Sequence, residues 1–145
     1  MARKTKARLV ATHAAQDVKR IRRFGKFAKA PISWWAVIEM KEDVIERAVR
    51  AILDAAPRGS RVVLFGSHAR GSANPDSDLD ILVIEPEVEN RFDEIIRLRQ
   101  VIGNALGDTI QPVDLLVTDE ARFRRKAAVP NTLAYEAAKY GVVYE

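Results

Sequence analysis

The fold of this chain is decided by Leu64-Phe65-Gly66-Ser67-His68-Ala69-Arg70-Gly71 and, shortly after it, by Ser77-Asp78-Leu79-Asp80-Ile81-Leu82-Val83. Apolar residues run up to the first glycine, and a second apolar run begins directly after the Asp-Leu-Asp triplet. Short apolar runs bounded by glycine, proline and polar residues are typical of buried strands. The pattern therefore predicts a strand, a glycine-containing turn and a second strand that carries two carboxylates at its start.

Three carboxylates in this pattern predict a metal site. Asp78 and Asp80 are expected on the same side of their strand, because alternate residues of a strand point the same way. A third acid, Asp114, lies within another apolar run, residues 113–117. Magnesium prefers oxygen ligands and usually binds one or two carboxylates together with substrate phosphates, and two such ions clamp the attacking and leaving oxygens of an in-line displacement. Asp114 is expected on the nucleophile side, where it would help to take the proton of the acceptor.

The glycine-containing turn predicts the part of the same site that binds phosphate groups. Gly66 allows the backbone to approach an anion closely. Ser67 offers a hydroxyl and a backbone N–H, and a short helix over residues 67–71 would direct its first amides at an anion. Arg70 adds a planar donor fork that suits phosphate oxygens. His68, as a lone histidine, is interpreted as a bystander.

These residues resemble the nucleotidyltransferase core of the DNA polymerase beta superfamily, and their spacing is similar to that of the minimal nucleotidyltransferases, the MNT proteins. The resemblance covers about residues 42–145. It implies Mg²⁺-dependent transfer of a nucleoside monophosphate from a nucleoside triphosphate, ATP by default, to a hydroxyl acceptor, with two Mg²⁺ ions. It also implies that Asp78, Asp80 and Asp114 are the catalytic and metal-binding residues. Gly66, Ser67 and Arg70 would then be the nucleotide-binding residues.

The acceptor follows only from the resemblance. Small stand-alone proteins of this family resemble the antitoxin of HEPN/MNT toxin–antitoxin pairs, which implies transfer of AMP to a tyrosine of a HEPN ribonuclease toxin. Template-reading and tRNA-tailing enzymes normally carry further domains that hold nucleic acid. Two other functions stay open, a nucleotidyltransferase that modifies a small molecule such as an antibiotic and an antitoxin that neutralises by binding alone.

Simpler interpretations exist for each residue. Asn74 to Ser77 would form a polar turn between strands even without a site, since these residue types dominate turns. Asp114 would also fit a structural ion pair, and Arg70 a solvated surface position. Ser67 would serve as a helix N-cap, a role compatible with phosphate binding. The basic run Arg122, Arg124, Arg125, Lys126 fits either a solvated helix or a contact with an acidic partner or RNA.

The periodicity of the remaining sequence predicts an α/β (α+β) fold. Apolar residues at spacings of three, four and seven predict helices over residues 42–55, 88–106 and 132–140, with a shorter helix ending at 126. Thr118 or Asp119 is a candidate N-cap of the shorter helix, and Asn131 or Thr132 is a candidate N-cap of the last helix. Strands are predicted over 61–65, 79–84, 110–117 and 142–144. We expect a nucleotidyltransferase-like mixed or antiparallel sheet that carries the acids, with helices packed on one face.

Charge divides the chain of 145 residues into two parts. Residues 1–39 hold ten basic and two acidic residues, whereas residues 40–145 hold 14 basic and 18 acidic residues. We therefore expect a basic N-terminal extension, 1–39, and a nucleotidyltransferase domain, 40–145. Three explanations of the extension stay open, namely translation that truly starts at Met40, an arm that binds nucleic acid or a partner, and a solvated tail.

The composition excludes several classes of protein. The chain has no cysteine, which excludes a disulfide framework, a thiolate zinc site and a cysteine nucleophile. No apolar run approaches the roughly 20 residues of a membrane span, and there is no secretory signal. We expect a cytoplasmic protein without a membrane partner. Direct binding of nucleic acid and formation of a homo-oligomer stay open.

Overall fold

The structure is a computed structural model that describes residues 33–74 and 76–145. The basic segment up to residue 32 lies outside the described residues, and the expected domain boundary at Met40 falls within the first helix and stays a prediction. In chain order the elements are α1 (Ser33–Ala55), β1 (Arg61–Phe65), α2 (Gly66–Arg70), β2 (Leu79–Glu85), α3 (Arg91–Leu106), β3 (Val113–Asp119), α4 (Glu120–Ala127), α5 (Leu133–Tyr140) and β4 (Val142–Tyr144).

A four-stranded sheet in the order β3-β2-β1-β4 forms the centre of the fold. Strand β1 pairs antiparallel with β2 and with β4, whereas β2 and β3 run parallel. The sheet is therefore mixed, as the sequence predicts. In this register Asp80 lies opposite Phe65 of β1 and opposite Asp114 of β3. Because residues paired across neighbouring strands point to the same face, this register decides which side chains share a face.

The larger apolar core lies on one face of the sheet, beneath the two long helices. Strand β2 contributes Leu79, Ile81 and Val83, which are 1%, 0% and 0% exposed. Helices α1 and α3 cover them with a stripe of buried residues, namely Val44, Ala48, Val49, Ile52, Leu98, Ile102 and Leu106. Residues at these spacings lie on one side of a helix, and in α1 this is the face that the apolar spacing predicts. In α3 the apolar spacing also includes Phe92 and Ile96, which are 70% and 50% exposed, so the prediction is only partly right there.

A smaller apolar cluster lies on the opposite face of the sheet. It is built from Val63 and Phe65 of β1, Leu82 and Ile84 of β2, and Ala137 of α5. Phe123 of α4 packs against it. The expected packing of helices on one face therefore describes the two long helices, and the short helices α4 and α5 add a second layer. Each of these helices has only eight residues, and five of the eight in α4 are charged, so no apolar stripe is long enough to predict this second layer.

The third strand begins later than the sequence predicts, at Val113 and not at residue 110. Pro112 has no N–H to donate to a strand ladder, so regular pairing starts after it. Its carbonyl still accepts a hydrogen bond from the backbone N–H of Leu79 at 2.9 Å. Ile110 lies outside the sheet and is 97% exposed, which shows that an apolar residue alone does not extend the strand.

Side-chain caps define the helix starts in the second half of the chain. The Asn90 side chain accepts hydrogen bonds from two backbone N–H groups of the first turn of α3, so this helix begins at Arg91 and not at the predicted residue 88. Asp119 and Thr132 accept corresponding bonds at the starts of α4 and α5, so the second residue of each candidate pair is the cap. Within the described ranges, no helix has the length and apolarity that crossing a bilayer requires.

Candidate active site

The candidate catalytic acids lie at the ends where the parallel strands β2 and β3 begin. Asp80 and Asp114 are direct partners in the β2–β3 register, and two positions after each lies a residue that packs in the smaller apolar cluster, Leu82 and Leu116. Both carboxylates therefore belong to that face of the sheet. Asp78 immediately precedes β2, two positions before Asp80. The topology brings all three predicted acids to one corner of the sheet.

Electrostatics confirm that the three acids are close enough to influence one another. Burial raises the pKa of Asp80 above its usual value, and the charges of Asp114 and Asp78 raise it further. His68 and Arg70 act in the opposite direction, since their positive charges lower the pKa of the same group. Asp80 is half-buried, whereas Asp78 and Asp114 are exposed. A half-buried carboxylate that faces two others is a position where a cation would relieve repulsion.

Gly66 is required where β1 passes into α2. Its φ is +70°, a conformation that side-chain-bearing residues rarely adopt. A Cβ atom at this position would lie 2.1 Å from Oδ2 of Asp80. The backbone of the turn therefore passes directly against the central carboxylate. Only glycine satisfies the backbone conformation and this approach together.

Helix α2 is a single short turn that carries the other predicted phosphate-binding residues. The carbonyl of Ser67 accepts hydrogen bonds from the backbone N–H groups of Gly71 and Ser72, which closes the turn. Ser67 does not act as the N-cap, since Phe65 occupies that position. Within the part of the chain that the structure describes, the Ser67 hydroxyl has no hydrogen-bond partner. This hydroxyl is free to meet a ligand.

Arg70 ends α2 beside the acids, with a side chain that is 59% exposed. Its guanidinium lies 3.9 Å from a carboxylate oxygen of Glu136 on α5, which is 41% exposed. An exposed pair at this separation contributes little stability. The guanidinium therefore remains able to turn towards a phosphate. Sequence reasoning missed Glu136, which no motif links to the turn.

Two residues hold the loop in front of Asp78, namely His68, which the sequence indicated to be a bystander, and Gln111, which sequence reasoning missed. The carbonyl of Ser77 lies 3.3 Å from Nε2 of His68, and it accepts a hydrogen bond from Nε2 of Gln111 at 3.1 Å. The predicted polar turn is also present, because the N–H of Ser77 donates to the carbonyl of Asn74 at 3.1 Å. The turn and the site are thus compatible. His68 is a positioning residue in this structure, and only the fold brings Gln111 to it.

The donor set fits magnesium. All three candidate ligands are carboxylates, and the mutual repulsion that raises the pKa of Asp80 favours a hard divalent cation between them. Among the described residues, no three acidic or imidazole groups are close enough to enclose an ion by themselves. Magnesium does not require such a cage, since it usually keeps several waters and takes further oxygen ligands from substrate phosphates. The corner therefore suits an ion that is delivered with a triphosphate.

Residues 45–139 match the family of the nucleotidyltransferase domain. A solved structure assigned as a nucleotidyltransferase from Sulfolobus solfataricus is 26% identical, with 68% of this chain and 83% of that chain covered and a TM-score of 0.48. A crystal structure described as a toxin–antitoxin with AMP-PNP is 23% identical, with 66% and 68% covered and a TM-score of 0.48.

A curated relative outside this family also shows local similarity. The phosphoglycerate kinase of Rhizobium johnstonii is 29% identical over 85 residues, which are 56% of this chain and 21% of that protein. The chain thus spans about a fifth of the length of this relative. The assignment of the chain rests on the family match, which covers strands β1, β2 and β3, the turn and all three acids.

Proposed function

The chain belongs to the nucleotidyltransferase domain family, and on that premise we propose that it transfers AMP from ATP to a tyrosine hydroxyl of a HEPN-type ribonuclease toxin and so acts as an antitoxin. Nucleotidyl transfer follows from the family. One observation supports catalysis above all. Asp80 pairs directly with Asp114, near Asp78, while Gly66 brings the turn against the same carboxylate.

The proposed reaction uses the two sides of this corner differently. Asp78 and Asp80 would hold Mg²⁺, which when bound neutralises the charge of the phosphates and of the departing pyrophosphate. The backbone at Gly66, the free hydroxyl of Ser67 and the guanidinium of Arg70 would contact the triphosphate. Positioning and charge neutralisation supply most of the rate in phosphoryl transfer.

Asp114 would lie beside the acceptor hydroxyl and take its proton. The oxygen of the acceptor hydroxyl forms a bond to the α-phosphorus, and the bond from that phosphorus to the bridging oxygen breaks, so that pyrophosphate leaves. The hydroxyl proton passes to the Asp114 carboxylate, which is exposed and therefore open to an incoming group.

An open corner suits a protein acceptor. Asp78 and Asp114 are both exposed. Pockets for small molecules usually enclose most of their ligand, whereas a tyrosine on a protein surface needs only an accessible site. This feature favours a protein acceptor over a small-molecule one. The proposed HEPN identity of that acceptor rests on the motif resemblance.

The direct test is an incubation of the full chain with ATP, Mg²⁺ and the protein encoded beside it, followed by intact-mass measurement. We expect the partner to gain the mass of one AMP group. The variant Asp78→Asn/Asp80→Asn should abolish the gain, whereas Asp76→Asn should preserve it, because Asp76 lies in the exposed turn outside the acid cluster. Retained ATP binding without any added mass would contradict a protein acceptor. Neutralisation of the toxin that survives Asp78→Asn/Asp80→Asn unchanged would contradict a catalytic mechanism.

A further inference from the structure

Apart from the candidate active site, a positively charged cavity lies between the start of α3 and the junction of α4 with α5. Its volume is about 550 Å³. It is lined by Arg91, Arg122, Arg125, Lys126, Val129 and Thr132. Four of these six side chains are cations, although residues 40–145 as a whole carry more acidic than basic residues. The cavity is thus a local positive site on a domain of negative net charge.

Among the residues that the structure describes, none of the four cations of the cavity lies in an ion pair with an acidic residue. Arg124, on the same helix, behaves differently, since its Nε donates to Glu120 at 2.8 Å. The fold therefore separates the basic run of the sequence into Arg124, which pairs with Glu120, and the other three residues, which line the cavity. Arg122, Arg125 and Lys126 share one side of α4 at spacings of three and four residues, and Arg91 joins them from α3.

The cavity is separate from the candidate active site. Helix α3 follows β2 and helix α4 follows β3, so both begin beyond the strand ends that carry Glu85 and Asp119. Asp80 and Asp114 lie at the opposite ends of the same strands. None of the three catalytic acids lines the cavity. A ligand here would therefore leave the acids free.

The lining favours phosphate over other ligands. Three guanidinium forks and one ammonium group supply donors without acceptors, and guanidinium groups bind phosphate oxygens in a bidentate manner. The Thr132 hydroxyl is already used, because it donates to backbone carbonyls and accepts from the N–H of Tyr135. Within the described part of the chain, no aromatic side chain lines the cavity, so bases find no stacking surface there. Recognition would depend on charge, and a phosphate group brings more charge and more acceptor oxygens than a carboxylate.

We propose that this cavity is a second anion site, which binds two neighbouring phosphate groups of one ligand without recognising a base. The three guanidinium groups and one ammonium group supply enough donors for the oxygens of two phosphate groups, and their four positive charges exceed the two negative charges of two phosphodiester groups. A nucleic-acid backbone and a free polyphosphate both offer this chemistry.

The test uses the full chain in EDTA, so that no divalent cation binds phosphate at the acids. One arm measures binding of a labelled single-stranded RNA of mixed sequence by fluorescence anisotropy. The other arm measures binding of inorganic tripolyphosphate by calorimetry. The test variant is Arg122→Glu/Arg125→Glu. The control is Arg50→Glu/Arg99→Glu, which makes the same change of charge at exposed arginines that have no ion pair within the described residues.

The test variant is expected to weaken binding by about tenfold or more, and to reduce the slope of log K against log salt by about 1.4 for RNA, since each lost phosphate contact removes about 0.7. The control variant should change the slope far less. The basic segment 1–39 is common to all variants, so it does not affect the difference. Loss in the RNA arm supports a nucleic-acid ligand, and loss confined to tripolyphosphate supports a free polyphosphate. Equal effects of the two variants in both arms would overturn the proposal.

Discussion

Strand β2 holds a carboxylate near each end, and both have a pKa above the usual value, but the two ends differ in what surrounds them. Asp80 is half-buried and faces Asp114 and Asp78 at an open corner. Glu85 is 3% exposed and lies against α3, where burial and a hydrogen bond to Glu94 raise its pKa to about 7. Asp80 has neighbours that repel it, whereas Glu85 has a neighbour with which it shares a proton.

The end of β2 that holds Glu85 is closed. One of its carboxylate oxygens is buried without a hydrogen-bond partner. Glu94 is held by Arg97, whose Nε donates to it at 3.0 Å, and Arg97 also donates to the carbonyl of Ala55 at 3.1 Å. The pKa of Glu94 is accordingly lowered, first by its hydrogen bond to Arg97. The neighbouring groups are thus fixed by protein partners, and Glu85 itself is closed off from an incoming substrate.

The comparison shows that a raised pKa by itself does not identify a catalytic site. Burial is the first cause at both ends of the strand. What distinguishes the Asp80 end is exposure of the neighbouring acids and a glycine turn pressed against the carboxylate. Perturbed carboxylates also occur in structural networks, so accessibility and the chemistry of the neighbours decide between the two.

The largest expected effect comes from neutralising the two carboxylates separately. Asp80→Asn should reduce nucleotidyl transfer by at least about 10²–10³-fold, the range seen when one preorganised charge contact is lost. The unfolding temperature should not fall, because the variant removes repulsion from Asp114 and Asp78. Glu85→Gln should leave transfer unchanged. A comparable loss of activity in both variants would remove the distinction between the two ends.

The next effect concerns Gly66, with Gly107 as a matched control. Gly107 has a φ of +57°, but a Cβ atom added there would meet no heavy atom within 4 Å. Gly107→Ala should therefore cost only backbone strain, about 1–3 kcal/mol for a side chain at this positive φ. Gly66→Ala adds a collision with Asp80 to the strain of its own positive φ. We expect a larger loss of stability in urea unfolding and a loss of transfer activity. Equal losses for the two alanine variants would show that the approach to Asp80 is unimportant.

Glu85 should make the stability of the protein depend on pH. Its folded pKa of about 7 exceeds the unfolded value of 4.5, so the folded state binds the extra proton between these values. Its contribution to stability is then fully present below about pH 4.5 and is lost as the pH rises through 7, by up to about 3 kcal/mol. The pKa of Glu94 is lowered in the folded state, so Glu94 changes the stability only at pH values below its unfolded pKa of 4.5. Its effect therefore falls in a different pH range from that of Glu85.

Glu85→Gln should remove most of this loss, which urea unfolding at pH 5 and pH 8 would measure. The free energy of unfolding of the wild-type protein, relative to that of the variant, should be larger at pH 5 than at pH 8. Parallel pH dependence of the two proteins would mean that Glu85 is ionised in the folded state throughout.

The smallest effect is expected from the residues that hold the loop before Asp78. Gln111→Ala removes the hydrogen bond to the Ser77 carbonyl, a loss of about 1 kcal/mol. Transfer should fall severalfold at low Mg²⁺ and recover at high Mg²⁺, because Asp78 is less well positioned but still present. Gln100→Ala, at an exposed position of α3, is the control and should change neither the stability nor the transfer activity. A loss that high Mg²⁺ does not reduce would contradict a positioning role.

Local sequence was sufficient for the parts of this fold that depend on nearest neighbours. The limits of β1 and the final strand at Val142–Tyr144 follow from short patterns and are confirmed. The caps at Asp119 and Thr132 were each one of two adjacent candidates, and the structure selects between them. The approach of Asp114 to Asp80 was expected from the family resemblance. The starts of neighbouring strands meet at one sheet edge only when the strands run parallel, as β2 and β3 do, and the sequence left that direction open.

Long-range packing was not predictable in this way. The contact of Gln111 with Ser77, the burial of Glu85 against Glu94 and the meeting of Arg91 with α4 join segments that share no motif. Such contacts depend on how two elements are packed, which periodicity does not encode.

The most direct test of the central claim is the binding of Mn²⁺, a spectroscopic substitute for Mg²⁺, measured by electron paramagnetic resonance with a non-hydrolysable ATP analogue. The wild-type protein and Glu85→Gln are expected to bind Mn²⁺ equally, and the analogue should tighten binding in both. Asp78→Asn/Asp80→Asn should lose this binding while remaining folded. Undiminished Mn²⁺ binding by Asp78→Asn/Asp80→Asn would contradict the assignment of the metal site to the open end of β2.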